Sequence, residues 1–449
     1  MSLFALRNVV AVTMDPGNRV ITDATVVVEN DRIREIAPTE HLELPDDVPV
    51  LEGYGRHALM PGLVDSHSHS SLMRGVNEDM QLMDWLPYYQ LEHRALDEDD
   101  AYHAARLCYL EALKHGTTCV MDMYRFMHRC ADAAGEVGLR VNLAPYVGDN
   151  PGKDFFATPR ENRDLVRSHH GSYQGRVRVW MGLEHLLYCS PDAYRNALEC
   201  QREYGVGIHT HVCEQQDEEA AVTRHFGRRS IDMLDTYGVL GENTLLAHCV
   251  WLNDDEISRL AGNGTRVAHC PVSNAKLASG IARLPEMLQA GLTVGLGTDG
   301  PVCNNNLNVF EEMKFASLLQ KVTRLDPTSI NATEALRMAT IEGAKTLGLD
   351  HEIGSLEVGK KADMLLLDLA TPSLTPAVPG TTGGNLLWNL VFAEQGRSIR
   401  GVWVDGIRLL EDGTPLQLDE GKVIAAAQRR GEDLMERCNH LAHLRQPVM

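Results

Sequence analysis

No stretch of the 449-residue chain holds enough consecutive apolar residues to span a bilayer, and no basic and apolar leader follows Met1. A cytoplasmic protein is expected, not a membrane-embedded or exported one. Basic residues are the scarcer sign, with 42 Lys and Arg against 62 Asp and Glu and a formal charge of −20. That balance argues against a nucleic-acid backbone or an anionic membrane surface as main partner. The ten cysteines include no CxxC pair, and so long a chain needs no staples, so reduced thiols are expected. No GxGxxG follows a first strand, which disfavours a doubly wound dinucleotide fold, and neither repeats nor low-complexity tracts occur. What remains is a globular chain, 44% hydrophobic and 23% charged, large enough for more than one structural unit.

Residues 1–57 read as short β-branched strands broken by turns, among them Asn8-Val9-Val10-Ala11-Val12, Ala24-Thr25-Val26-Val27-Val28 and Ile33-Arg34-Glu35-Ile36. The same texture returns over 356–415, in Met364-Leu365-Leu366-Leu367 and Val402-Trp403-Val404. The two pieces predict one small β-sandwich built from both ends of the chain. Residues 416–449 read as helical, with Val423, Ala427, Leu434, Cys438 and Leu441 along one stripe. Between them, over 58–355, eight strand-like runs alternate with amphipathic stretches such as Asp100–His115 and Pro191–Tyr204. The runs end at His67/His69, Thr117–Tyr124, Leu139–Val147, Val177–His185, Val206–Glu214, Asn243–Val250, Thr265–Pro271 and Leu292–Gly300. Eight βα units predict an α/β fold of the (β/α)8 TIM barrel type, with its active site at the C-terminal ends of the strands.

Those strand ends carry the chemistry. In His67-Ser68-His69 the two imidazoles lie two residues apart on a strand, hence on one face, and reach one metal ion. Later runs add His209, His211 and Glu214, then His248, then Asp299 in Gly297-Thr298-Asp299-Gly300. One such residue alone is ordinary, since a strand-end His is usually structural, Glu214 could favour a helix dipole, and Asp299 could be turn chemistry. Their coincidence at one rim points to His67, His69, His211 and Asp299 as ligands of one divalent metal, Zn2+ before Fe2+. A second metal would need a bridging Lys or carboxylate from a middle strand; the fourth run has no Lys, but Glu184 leaves this open. A metal brings the pKa of water from about 15.7 to about 7. Attack on an amidine-like ring carbon also needs protons moved: Asp299 takes one from water, Glu214 gives one to the ring, and His248 positions the attacking oxygen. The cytidine-deaminase pattern H-x-E…P-C-x-x-C is absent.

Taken together, the motifs resemble the amidohydrolase superfamily, and within it the deaminase branch that holds S-adenosylhomocysteine/methylthioadenosine deaminases and s-triazine hydrolases. They are Pro61–His69, Arg74-Gly75-Val76 with Trp85-Leu86, His115-Gly116-Thr117-Thr118, His211-Val212-Cys213-Glu214, Ala247-His248-Cys249, His269–Leu277, Gly297–Gly300, Asn305-Asn306 and Val358–Asp363. The resemblance implies a mononuclear metal on His67, His69, His211 and Asp299, with Glu214 and His248 handling protons. It implies the barrel-plus-sandwich fold and a homodimer or larger homo-oligomer. The expected activity is removal of an exocyclic amino group from a purine, pterin, pyrimidine or triazine ring with release of ammonia. The alternatives are displacement of chloride or an alkylamine from a triazine, and cyclic-amide hydrolysis at a binuclear centre. A carboxylic acid at Glu214 suits deamination. Glu92 resembles the position where adenosine-type deaminases hold ribose hydroxyls, although a surface helix carboxylate is an equal reading. His185 resembles a substrate-contacting His, and Tyr188 and Trp85 are flat walls for a ring, or simply core.

Overall fold

The computed structural model describes residues 3–153, 155–380 and 384–442. The remaining positions of the outer segments read above, 1–2 and 443–449, lie outside the described residues. Two compact units emerge. One comprises 1–65, 110–119 and 308–419, the other 66–109, 120–307 and 420–449.

In the first unit the β-branched runs from both ends of the chain pair into one nine-stranded sheet. Its seam is the antiparallel pairing of His57–Pro61 with Met364–Asp368, in register Leu59↔Leu366 and Met60↔Leu365. The strands Leu3–Val12, Val20–Glu29 and Arg32–Pro38 follow on one side of that seam, and Ile399–Val404, Ile407–Glu411 and Thr414–Pro415 on the other. Asn30 turns the second strand into the third with φ 57°, a left-handed conformation that Asn tolerates. Alternate residues of both ends share one core: Leu6, Val26, Val28, Leu59, Met364, Leu366 and Trp403 are all buried in a single cluster.

The second unit carries the site. Leu63–Ser68, Thr117–Tyr124, Arg140–Pro145 and Val177–Val179 neighbour one another in that order, the first two reaching it from the first unit. Met181–Leu183, Ile208–Val212, Thr244–His248, Arg266–His269 and Val294–Leu296 form a five-stranded parallel sheet. The run expected as one strand over Val177–His185 is therefore two, parted at Trp180. There the Asn162 side chain intrudes, its Nδ2 donating to the Trp180 carbonyl (3.1 Å) and its Oδ1 accepting from Gly182 N–H (2.9 Å). The last strand ends beside the first: Asp299 N–H donates to the His67 carbonyl (2.9 Å), and Ser68 and Asp299 make a parallel bridge.

Helices fall where the amphipathic stretches predict them. Pro191–Tyr204 starts at Ser190, whose side chain accepts from Ala193 N–H, and stops at Gly205 in the left-handed conformation, φ 68°. Glu98–Lys114 covers the stretch read as Asp100–His115. The C-terminal helix is Glu420–His440, with Val423, Ala427 and Leu434 buried as expected. Arg430 and Arg437 tie it to the fully buried Asp100 at 2.8 and 2.6 Å. No described helix is long and apolar enough to cross a membrane.

Glycine is required where strand meets strand next to the site. A Cβ on Gly182 would lie 2.0 Å from the Pro145 carbonyl oxygen, a backbone atom with nowhere to move. Gly182→Ala is expected to cost about 1–3 kcal/mol, read as a lower denaturant midpoint at unchanged slope.

Candidate metal centre and active-site cavity

The imidazoles of His67, His69 and His211 converge because two strand ends, that of Leu63–Ser68 with His69 just beyond it and that of Ile208–Val212, aim them at one point. Hydrogen bonding settles which nitrogen each presents. His69 Nδ1 donates to the Met123 carbonyl (2.6 Å) and His211 Nδ1 to the Glu184 carbonyl (2.7 Å). His209 Nδ1 donates to the Leu245 carbonyl (3.0 Å), so its Nε2 is left to accept from His67 Nδ1 at 2.8 Å. A carbonyl can only accept, so in the neutral rings the Nε2 lone pairs of His67, His69 and His211 are left facing inward.

The facing atoms are crowded in the way a cation requires. His69 Nε2 lies 3.2 Å from His211 Nε2 and 3.1 Å from Asp299 Oδ1, and His67 Nε2 lies 3.6 Å from the same oxygen. Two lone pairs at such a distance repel unless a proton or a metal stands between them. A tetrahedral ion with bonds near 2.0–2.1 Å spaces its ligands about 3.3 Å apart, so these residues fit one. Two overlapping groups, His67–His69–His211 and His67–His248–Asp299, each bring ligand atoms within 4.8 Å of one another. His248, read from sequence only as a proton-handling residue, is thus near enough to count among the ligand-capable groups.

Protonation follows burial and company. Burial and neighbouring imidazoles hold His67 and His211 well below the usual histidine range. Burial acts most strongly on His69 and lowers it, but the hydrogen bond and charge of Asp299, the Met123 carbonyl and the Asp122 charge together outweigh it and leave it raised. Asp299 would be raised by burial, yet the His69 hydrogen bond and the surrounding imidazoles bring it well below its ordinary value. The lone proton of such a cluster is what a metal displaces. Burial, then the charges of Asp299 and Glu218, push Glu214 well above the carboxylate range, which keeps it a proton donor near neutrality. Glu214 Oε2 is 3.5 Å from His248 Nε2, while His248 Nδ1 donates to Asn274 Oδ1 (3.0 Å).

The backbone here is strained. His248 (φ 71°), Cys213 (φ 53°) and Asp299 (φ 60°) are all left-handed, at about 1–3 kcal/mol each. Ser273 Oγ donates to Asp299 Oδ2 (2.6 Å) and Gly300 N–H to Oδ1 (3.0 Å), which pins the carboxylate. A Cβ on Gly297 would fall 2.8 Å from His67 Cβ, so only glycine allows the last strand end this close to the first.

All these groups open on one cavity of about 880 Å3. Trp85, stacked on Tyr89 at 4.6 Å, and Tyr188, under the Lys153 ammonium at 3.8 Å, line it, as do Glu184 and His185. His185 Nε2 meets Glu218 Oε1 at 2.7 Å, and that charge and hydrogen bond raise the imidazole in spite of burial. Glu92 is not part of this wall. It is 2% exposed, which rules out the surface-carboxylate reading, and Oε1 accepts from Ser71 (2.8 Å) and Tyr124 (2.7 Å). It lines a separate cavity of about 170 Å3 instead, and burial pushes it up to about 7.

Several contributors carried no role in the sequence reading: His209, Tyr146 stacked on His69 at 5.1 Å, Glu218, Ser273 and Asn274. Ser273 and Asn274 stand inside the His269–Leu277 motif, and Glu218 lies one helical turn after Glu214. Those were the available signals.

Residues 58–409 match the model of the amidohydrolase family. A 5′-deoxyadenosine deaminase of Methanosarcina mazei is 39% identical over 98% of this chain and 100% of its own. A 5-methylthioadenosine/S-adenosylhomocysteine deaminase of Pelotomaculum thermopropionicum is 37% identical over 97% of this chain and 100% of its own. The solved structure of an adenosine deaminase from Xanthomonas campestris with bound zinc superposes with a TM-score of 0.90 at 27% identity, over 96% of this chain and 98% of that one. A His/Asp cluster at parallel strand ends, with a proton-bearing carboxylic acid beside it and full-length relatives of this kind, has one explanation: the chain belongs to the amidohydrolase family.

Proposed function

We propose that this protein is a hydrolytic deaminase that removes the 6-amino group of an adenine nucleoside, with 5′-deoxy and 5′-thio derivatives as the first substrates to test. The observation that carries it is Glu214: a buried acid beside His248 and Asp299 on a cavity wall large enough for a nucleoside. The relatives of known name over the full chain supply the substrate class.

His67, His69, His211 and Asp299 would hold one divalent metal, zinc before iron, with His248 beside them. Bound there, it supplies the Lewis acidity that makes water a nucleophile near pH 7. Glu214 protonates a ring nitrogen and so makes the adjacent C6 electrophilic. Asp299 accepts one proton of the attacking water and passes it to the departing amine, the second returns from the new C6 hydroxyl to Glu214, and ammonia leaves as the carbon–nitrogen bond breaks and the 6-oxo product forms. Ser273 keeps Asp299 aligned through this exchange, and His248, with Nδ1 committed to Asn274, offers Nε2 to the attacking oxygen. Trp85 and Tyr188 flank the flat ring.

On this reading the two parallel sheets are one (β/α)8 barrel over 58–355, closed where Ser68 meets Asp299. The nine-stranded sheet of the outer segments folds over its shared core as the small sandwich. No disulfide joins the ten cysteines, nine of which are buried, and this suits a reducing cytoplasm.

Ammonia release by the metal-loaded protein tests the proposal. 5′-Deoxyadenosine, methylthioadenosine, S-adenosylhomocysteine and adenosine are expected to turn over, and guanine and chlorotriazines not. Silence on every adenine nucleoside, with metal bound, would sink it.

A further inference from the structure

Negative charge develops on the oxygen that adds to C6, and a hydrogen-bond donor fixed beside that oxygen lowers the barrier. The residues given roles above do not provide one. His248, with Nδ1 donating to Asn274 Oδ1 (3.0 Å), turns a lone pair toward the oxygen and can only accept from it. Ser273 spends its hydroxyl on Asp299 Oδ2 (2.6 Å), and the proton of Glu214 goes to the ring.

Tyr146 has the donor. It directly follows the strand Arg140–Pro145, is 1% exposed and lines the cavity. Its Oη lies 2.8 Å from Nδ1 and 3.1 Å from Nε2 of His69. Neither nitrogen takes the phenol proton: Nδ1 gives a hydrogen of its own to the Met123 carbonyl (2.6 Å), and Nε2 is committed to the cluster with Asp299 and His211. The other partner is Tyr89 Oη at 3.1 Å. The two phenols hold two protons and share one hydrogen bond, in which one donates and the other accepts. One O–H is therefore left over in a buried pair on the cavity wall. A buried donor without an acceptor is costly, and a ligand that supplies one recovers that cost. When Tyr89 donates to Tyr146, the spare O–H stands on Tyr146, the member of the pair beside the imidazole cluster.

The Tyr146 ring is also locked. It stacks on His69 (centroids 5.1 Å) and on Phe156 (5.6 Å), and His93 packs against it in a T-shaped contact (4.8 Å). Its backbone N–H donates to the Tyr124 carbonyl (2.9 Å), and its carbonyl accepts from Ala157 N–H (2.8 Å). A donor held this way has no reorganisation to make as charge appears.

We propose that the Tyr146 phenol donates a hydrogen bond to the oxygen that adds to C6, and is a further catalytic residue of this site. The assignment rests on the adenine-nucleoside reading above. The phenol keeps its hydrogen throughout, while Glu214 and Asp299 move theirs.

Tyr146→Phe keeps the ring and its stacks and deletes one oxygen. Against metal-loaded wild type it is expected to lower kcat on adenosine by roughly 10²-fold, with KM nearly unchanged and the same metal content. Titration calorimetry gives a readout without turnover. Coformycin carries a hydroxyl on a tetrahedral ring carbon, and its affinity should fall by about the same factor as kcat. 1-Deazaadenosine has neither that carbon nor the ring nitrogen that Glu214 protonates, and its affinity should hardly change. Tyr89→Phe, which leaves the Tyr146 O–H in place, should lose less on both measures. An equal loss of affinity for the two analogues would show that the ring only shapes the pocket, and loss of metal that it only holds His69; either overturns the assignment. So does an equal or larger loss in Tyr89→Phe. Undiminished ammonia release from adenosine by Tyr146→Phe overturns this assignment alone, whereas silence of wild type on every adenine nucleoside overturns the adenine reading and this assignment with it.

Discussion

Glu214→Gln is expected to lower kcat by roughly 10²- to 10⁴-fold while the protein keeps its metal. The amide has the size and nearly the shape of the acid but gives up no proton, and burial against Asp299 and Glu218 is what keeps that proton on Glu214. Neither group of metal-capable side chains among the described residues includes Glu214; its side chain meets His248 Nε2 at 3.5 Å and Ser279 Oγ at 3.5 Å. Metal content by elemental analysis should therefore match wild type. The loss should fall on kcat more than on KM, because a proton transfer made in the transition state is what disappears. Metal loss in the variant would show Glu214 to be part of the coordination sphere and not the acid.

His211→Ala is expected to leave the protein largely metal-free and to lower activity by on the order of 10³-fold or more, since both the nucleophile and its electrostatic support depend on the ion. His211 brings its Nε2 to 3.2 Å from that of His69, and its Nδ1 is held by the Glu184 carbonyl. Alanine deletes the ligand and also frees that carbonyl. A chelator on wild type should reproduce the loss, and zinc or iron should reverse it in wild type but not in the variant. His209→Ala separates the ligand role from its support. His209 never meets the ion; it holds the His67 ring through Nδ1 at 2.8 Å, so a smaller drop of roughly 10- to 100-fold in metal affinity is expected. A variant His211→Ala that retains one metal per chain and full turnover would overturn the ligand set.

The strand ends were legible from sequence because they follow a local rule. His67 and His69 share a face through the two-residue period of a strand, and His211, His248 and Asp299 each close an apolar run. Boundaries drifted inward by a few residues, as in Val206–Glu214 against Ile208–Val212, because hydrophobic content does not show where the last ladder hydrogen bond falls. The break at Trp180 was hidden because its cause, the Asn162 side chain, lies 18 residues away. Glu92 was ambiguous for a similar reason. Nothing near it in the chain shows that Ser71 and Tyr124 would close over it.

Sequence alone determined the reactive groups and the order in which they occur: imidazoles at strand ends, one acid three residues after His211, and one aspartate at the close. Each of those depends on neighbours a few residues apart. The tertiary structure decided which nitrogen each imidazole presents, through carbonyls of Met123, Glu184 and Leu245 on other strands. It also decided which carboxylates are committed, Asp299 to His69 and Ser273 and Glu218 to His185 and the backbone of Glu214 and Gln215. Those outcomes depend on register between strands and on how the parallel sheets meet, contacts between residues 27 to 231 positions apart, and no local pattern encodes them.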